Sequence, residues 1–112
     1  MPKRDTPSVE LTDSLVTLYT VSSGYQLTLI ELIFHNRDTS SRLITVHLVP
    51  SGGAAGDSNE LIGSQSGTNE LKKGETRAYR FNLFKDPGSF IQAKADVTSK
   101  VTMFLNALEE TP

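Results

Sequence analysis

The sequence predicts an all-β protein, an antiparallel β-sandwich or jelly roll of about seven to eight strands. Three observations lead there. Apolar residues recur at every second position in one segment after another. Those segments are rich in Val, Ile, Thr, Tyr and Phe, which suit a pleated, half-buried surface. Turn residues return roughly every ten to fifteen positions. No stretch holds a helical period between caps, so helical and α/β arrangements are set aside. With 112 residues the chain can bury one modest core, and residues 1–112 are expected to form a single domain.

The elements follow in order. Met1 to Ser8 is polar and is expected to be a flexible arm. Leu15 to Val21 reads as a strand, ended by Ser22-Ser23-Gly24, where Gly accepts a positive φ. Gln26 to His35 is a second strand and Arg42 to Val49 a third, with the polar turn Asn36 to Ser41 between them; the two are expected to form a hairpin. Pro50 stops the third strand by removing a backbone donor. Residues 51–71 form a long loop region, with one short edge strand expected within Leu61 to Leu71. Lys72-Lys73-Gly74-Glu75 is a turn and Thr76 to Leu83 a strand, with Arg77, Tyr79, Phe81 and Leu83 on one face. Asp86-Pro87-Gly88 is a strong turn. Ser89 to Ala95 and Val101 to Leu108 complete the set, and Glu109 to Pro112 should be loose.

Composition excludes several classes of function. Eleven Lys and Arg stand against 13 Asp and Glu, a net charge of −2. Nucleic-acid binders gather a basic excess on one face, and none is present. There is no Cys, so no disulfide and no thiolate chemistry. The start has no apolar central region of a signal peptide, and no run suits a membrane span. Synthesis in the cytoplasm, without secretion by a signal peptide, is the expectation.

The residues assemble no catalytic or metal-binding pattern. The two histidines, His35 and His47, fall far apart in the expected hairpin and cannot share an ion. Asp57-Ser58-Asn59-Glu60 offers oxygen ligands but lacks the alternation of a calcium loop. Ser64-Gln65-Ser66-Gly67 resembles a nucleophile elbow only superficially, since no helix follows. Neither histidine has an evident triad partner. Gly52-Gly53 and Gly56 lack the helix and Lys of a phosphate cradle. No Trp is present and aromatics are 7%, which weakens a sugar site. No enzyme, metal or cofactor is expected.

The feature that points to function is apolar residues on both faces of the same strands. In Gln26 to His35, Leu27, Leu29 and Ile33 share a face with Glu31, opposite Ile30, Leu32 and Phe34. In Arg42 to Val49, Leu43 and Val49 lie opposite Ile44, Val46 and Leu48. Val101, Met103 and Leu105 oppose Phe104 and Leu108. A single sandwich hides only one face of each sheet. Either the long 51–71 segment folds back over the second set, or that set is a subunit interface in a symmetric homo-oligomer, the preferred reading. Candidate interface residues are Leu29, Glu31, Ile33, Leu43, Val49 and Arg77. Glu31 is either a charge that discourages wrong pairing or half of an ion pair across an interface, with Arg42, Arg77 or Arg80.

Leu18-Tyr19-Thr20-Val21-Ser22-Ser23-Gly24, His35-Asn36, Val46-His47-Leu48-Val49-Pro50-Ser51-Gly52-Gly53, Leu71-Lys72-Lys73-Gly74-Glu75-Thr76 and Gly88-Ser89-Phe90-Ile91-Gln92-Ala93 together resemble a family of small virion proteins of tailed bacteriophages. Its pattern runs "LYTVPAG", a strand ending "CN", "VPxGG", "GE" and "G-x-x-I-x-A". Here Ser22-Ser23-Gly24 stands for Pro-Ala-Gly, and His35 for the Cys. The resemblance spans roughly residues 15–107. It implies a β-sandwich virion component: a capsid decoration (cement) protein, or else a tail or fibre accessory piece or a receptor- or glycan-binding module. The partners implied are other copies of the chain, as a trimer, and other virion proteins, with no nucleic acid and no membrane. The implied location is the virion, assembled in the host cytoplasm.

Overall fold

Alternation along each long strand sorts side chains into an inward and an outward set, and two sheets close over the inward one. The computed structural model describes residues 3–5, 8–63 and 70–111; of residues 3–5, Asp57, Leu83 and Phe84 it describes the backbone alone. The strands are β1 (Lys3–Asp5), β2 (Ser8–Glu10), β3 (Val16–Thr20), β4 (Gln26–Asn36), β5 (Arg42–Val49), β6 (Glu60–Ile62), β7 (Glu70–Leu71), β8 (Thr76–Lys85), β9 (Phe90–Ala95) and β10 (Val101–Glu110). The first sheet runs β1-β10-β4-β8, with β2 also on β10; the second runs β3-β9-β5-β6, with β7 also on β5. All pairings are antiparallel. β1 and β2 share one lane and β6 and β7 another, so the architecture is an eight-lane jelly roll, as the alternation predicts.

Four expectations are corrected. β4 and β5 do not form a hairpin: they belong to different sheets. Residues 37–41 carry the chain across the sandwich instead, because the Asn36 side chain is pinned at its end. Asn36 is fully buried. Its Nδ2 donates to the carbonyls of Leu71 (2.9 Å) and Ser40 (3.0 Å), its Oδ1 accepts from the Asp38 N–H at 2.9 Å, and its own carbonyl accepts from Gly74 N–H. The chain start is not simply a loose arm, since β1 pairs with β10 from Lys3↔Glu109 to Asp5↔Ala107. The other end is ordered too, because β10 runs to Glu110 and Glu109 is fully buried between the sheets. Among the described residues of 60–71 there are two short strand segments, Glu60–Ile62 and Glu70–Leu71, rather than one. The Ser64 to Gly67 segment lies outside the described residues.

Phe34, Leu32, Ile30, Ile44, Val46, Ile91, Met103 and Leu105 form the centre of the core. A bulge decides which β4 residues join them. The register slips at Thr28, between Leu27 and Leu29 and opposite Leu108/Glu109. An extra residue reverses the side-chain parity beyond it. Leu27 is therefore fully buried beside Ile30, and Leu29 turns outward. Thr28 Oγ1 closes the bulge by donating to the Leu108 carbonyl at 3.2 Å.

The turns hold two depressed carboxyls. Asp38 is held below the usual carboxylate range by its hydrogen bond from Arg42 and by the Thr39 N–H. Glu75 is held low by the Lys72 N–H and then by Arg77. Groups with lowered folded-state pKa values stabilise the fold fully above their unfolded values and lose that contribution as pH falls through the folded ones. Below about pH 4 the melting temperature should fall faster for the native chain than for the Asp38→Asn, Glu75→Gln double variant. The two melting curves, well separated at neutral pH, should converge on acidification.

Ser99 takes a left-handed backbone (φ 64°), where a Cβ is disfavoured. Ser99→Gly keeps the backbone bonds to Leu11 and Arg37. It should raise stability by about 0.5–1 kcal/mol in urea denaturation, the strain relieved outweighing the added freedom of the unfolded chain.

Candidate functional site

The outward faces of the two sheets differ, and the contrast defines the site. On the second sheet, β5 directs Leu43, Thr45, His47 and Val49 outward. Val49 is fully buried, and Thr45 and His47 are each 7% exposed. The chain after β5 doubles back here. Asn59 ends a 3-10 turn (Asp57–Asn59), and its Oδ1 accepts from Gly56 N–H (3.0 Å) and His47 Nδ1–H (2.9 Å). Its Nδ2 donates to the Ala54 carbonyl at 3.0 Å. With both amide ends committed, Asn59 latches residues 50–59 to β5. Val49, at the end of this strand, is fully buried and has no surface to offer a partner. Leu43 is half-buried beside Glu70.

The first sheet has no such cover among the described residues. Its outward face is read in rows across β10, β4 and β8. Thr102, His35 and Thr76 form one row, tied by a 2.8 Å bond between His35 Nδ1 and Thr76 Oγ1. Phe104, Ile33 and Ala78 form the next. Asn106, Glu31 and Arg80 form the third, and Leu108, Leu29 and Asn82 the fourth. Phe104 is 46% exposed, and Leu29, Ile33 and Leu108 are half-buried. The face is two apolar bands separated by a polar row.

Glu31 occupies the centre of that row. It accepts from Asn106 Nδ2 at 3.0 Å and pairs with Arg80 at 3.4 Å, within its own chain. Of the three arginines considered, Arg80 is the partner. Arg42 pairs with Asp38 and Asp96, and Arg77 with Glu75. Arg77 lies on the inward side of β8, opposite Phe34, and bonds Tyr79 Oη and the Glu70 carbonyl. It is rim packing rather than part of the outward face. The structure therefore gathers Leu29, Glu31 and Ile33, and separates Leu43, Val49 and Arg77 from them. Phe104 and Leu108 belong with the first group; alternation along Val101 to Leu108 was the signal for them.

His35 and His47 lie in different sheets, and among the described residues no three His, Asp or Glu side chains come together as metal ligands. No helix of the described residues is long and apolar enough to cross a membrane.

No protein-family model matches the chain, and no curated protein does. Solved structures do. The subunit of disulfide-linked pili that form Bacillus endospore appendages aligns over 99% of this chain and 87% of its own, at TM-score 0.58 and 8% identity. The Tobacco streak virus coat protein aligns over 99% and 86%, at TM-score 0.56 and 12% identity. The infectious bursal disease virus Gx strain structure matches 98% of this chain but 32% of its own, at TM-score 0.50 and 17% identity. At such identities the likeness is one of fold: this chain has the small jelly roll also found in viral coat proteins and in a bacterial pilus subunit.

Proposed function

We propose that this chain is a structural subunit of a tailed-bacteriophage virion, a capsid decoration protein that works as a homo-oligomer through protein–protein contacts and catalyses nothing. The observation that carries this reading is the outward face of the first sheet, uncovered among the described residues, where Phe104, Ile33, Leu29 and Leu108 stand around the Glu31–Arg80 pair. On the second sheet the outward side chains of β5 at Thr45, His47 and Val49 are buried within the chain, whereas Phe104, Ile33, Leu29 and Leu108 on the first are not. The strand-and-turn motifs shared with virion proteins point the same way. Coat proteins and a pilus subunit built on this fold make the role a natural one for it.

Area sets the mode of association. Three strands at ~4.8 Å spacing and seven residues at ~3.3 Å give a face of roughly 300 Å². A stable pairwise interface takes roughly 800 Å² per partner. The face alone is too small for a lone dimer, so each copy must touch more than one neighbour. A trimer at a three-fold position on the head meets that requirement, each weak contact reinforced by the others.

The test is fractionation of particles from the lysate that produces the chain, followed by immunodetection. Decoration predicts the chain on heads separated from tails, removable by mild denaturant while the heads remain intact. Its presence on isolated tails, or free of particles, contradicts the assignment. Ile33→Asp places a charge in the apolar band and should reduce head occupancy about tenfold or more without altering the melting temperature by more than a few degrees.

A further inference from the structure

We propose that copies join head to tail, with the Phe104 ring of one seated in the pocket beside Leu48, Pro50 and Leu61 of the next. This rests on the self-association reading above and names the contact that makes it.

The knob is Phe104. Its neighbours across the sheet are Ser8 on β2 and Ile33 on β4. Ser8 is too short to shield it, and Ile33 is itself half-buried, so nearly half of the ring stays in water. An aromatic ring is the side-chain type most often found anchoring an interface when a pocket receives it.

The pocket lies at the opposite edge of the sandwich. It measures about 450 Å³ and is lined by Leu48, Pro50, Ser58, Asn59, Glu60, Leu61 and Lys85. Its origin is local. Pro50 ends the pairing of β5, β6 is short, and β8 reaches its last residue at Lys85. The two sheet edges therefore part there. The latch of Asn59 to His47, Gly56 and Ala54 holds the rim in shape. Leu48, Pro50 and Leu61 supply an apolar wall and Glu60 and Lys85 a rim of both signs. Around Phe104 the surface also carries both signs, in the Glu31–Arg80 and Arg37–Glu10 pairs. An apolar knob within a mixed-charge collar meets an apolar hollow within another.

The two surfaces are well apart on one copy. Phe104 is level with Ile33, and Lys85 with Leu27, six residues further along β4 or ~20 Å. Knob and pocket cannot satisfy each other within a chain. The contact is heterologous, and repeated contacts of that kind close into a ring or run on as a filament. A ring of three agrees with the trimer proposed above.

Two variants test it. Phe104→Ala removes the knob, and Ser58→Trp, at an exposed position, fills the pocket without entering the core. Matching melting curves establish that both fold. Sedimentation velocity should show the native chain as an oligomer and each variant alone at least about thirtyfold weaker in self-association. At high concentration an equimolar mixture should associate one to one, more weakly than the native oligomer but where neither variant does alone, because Ser58→Trp still carries Phe104 and Phe104→Ala still has an open pocket. A native oligomer indifferent to Phe104→Ala, or a mixture that stays monomeric, overturns this contact and leaves self-association standing. A native chain monomeric at every concentration overturns both.

Discussion

Phe34→Ala is expected to remove about 3–5 kcal/mol of folding stability, the usual range for deleting a buried aromatic ring. Phe34 is fully buried on β4, two residues before its end at Asn36, between Met103 on β10 and Arg77 on β8. Its ring meets Tyr79 edge to face, with centroids 5.9 Å apart and planes at 76°. Truncation costs the transfer energy of the ring, that aromatic contact and a cavity whose walls are backbone-paired strands and cannot collapse inward. Against a total stability of about 5–15 kcal/mol for a domain of this kind, the variant should be partly unfolded at 37 °C. Urea denaturation measures it directly. A loss under about 1 kcal/mol would mean that Phe34 does not sit at the centre of the core.

Asn36→Leu should be nearly as damaging, at about 3 kcal/mol or more, although it exchanges a polar residue for an apolar one of similar size inside the protein. The replacement leaves the carbonyls of Leu71 and Ser40 and the Asp38 N–H without the partners Asn36 supplies. The Leu71 bond is buried and the Ser40 and Asp38 bonds are part-buried; a polar group left buried and unpaired costs about 1–3 kcal/mol. The loss should be local as well as global. Amide exchange at Asp38, whose N–H bonds Asn36 Oδ1, should accelerate well before the global unfolding rate is reached. Equal acceleration across β4 and β10 would show that Asn36 has no special hold on the crossover.

These two residues mark what was legible in sequence and what was not. Phe34 is visible as core from alternation alone, because Ile30, Leu32 and Phe34 repeat every second residue. Asn36 looks like the first residue of a polar turn. Its role depends on Leu71, 35 residues away, and no local pattern reports such a partner. The same blindness produced the expected β4–β5 hairpin: a short polar turn between two strands usually joins neighbours, and only the distant anchor sends the chain across instead. Alternation also puts Leu27 with Leu29, and the Thr28 bulge separates them, since a single inserted residue reverses parity without changing composition. Val49 is misjudged for another reason. It is fully buried within the chain, beside a segment rich in Gly and Ala whose bond to β5 runs through one side chain, Asn59, to His47, and no local pattern reports that bond. Leu29, Glu31 and Ile33 share one outward face in sequence and structure alike, and no described residue covers it.

The bare face of the first sheet is expected to make this chain associate with itself. Sedimentation equilibrium of the purified protein, from about 1 μM to about 1 mM, a range matched to weak contacts, puts that expectation to the test. The average mass should climb with concentration toward three times that of the monomer. A mass fixed at the monomer value throughout would contradict it.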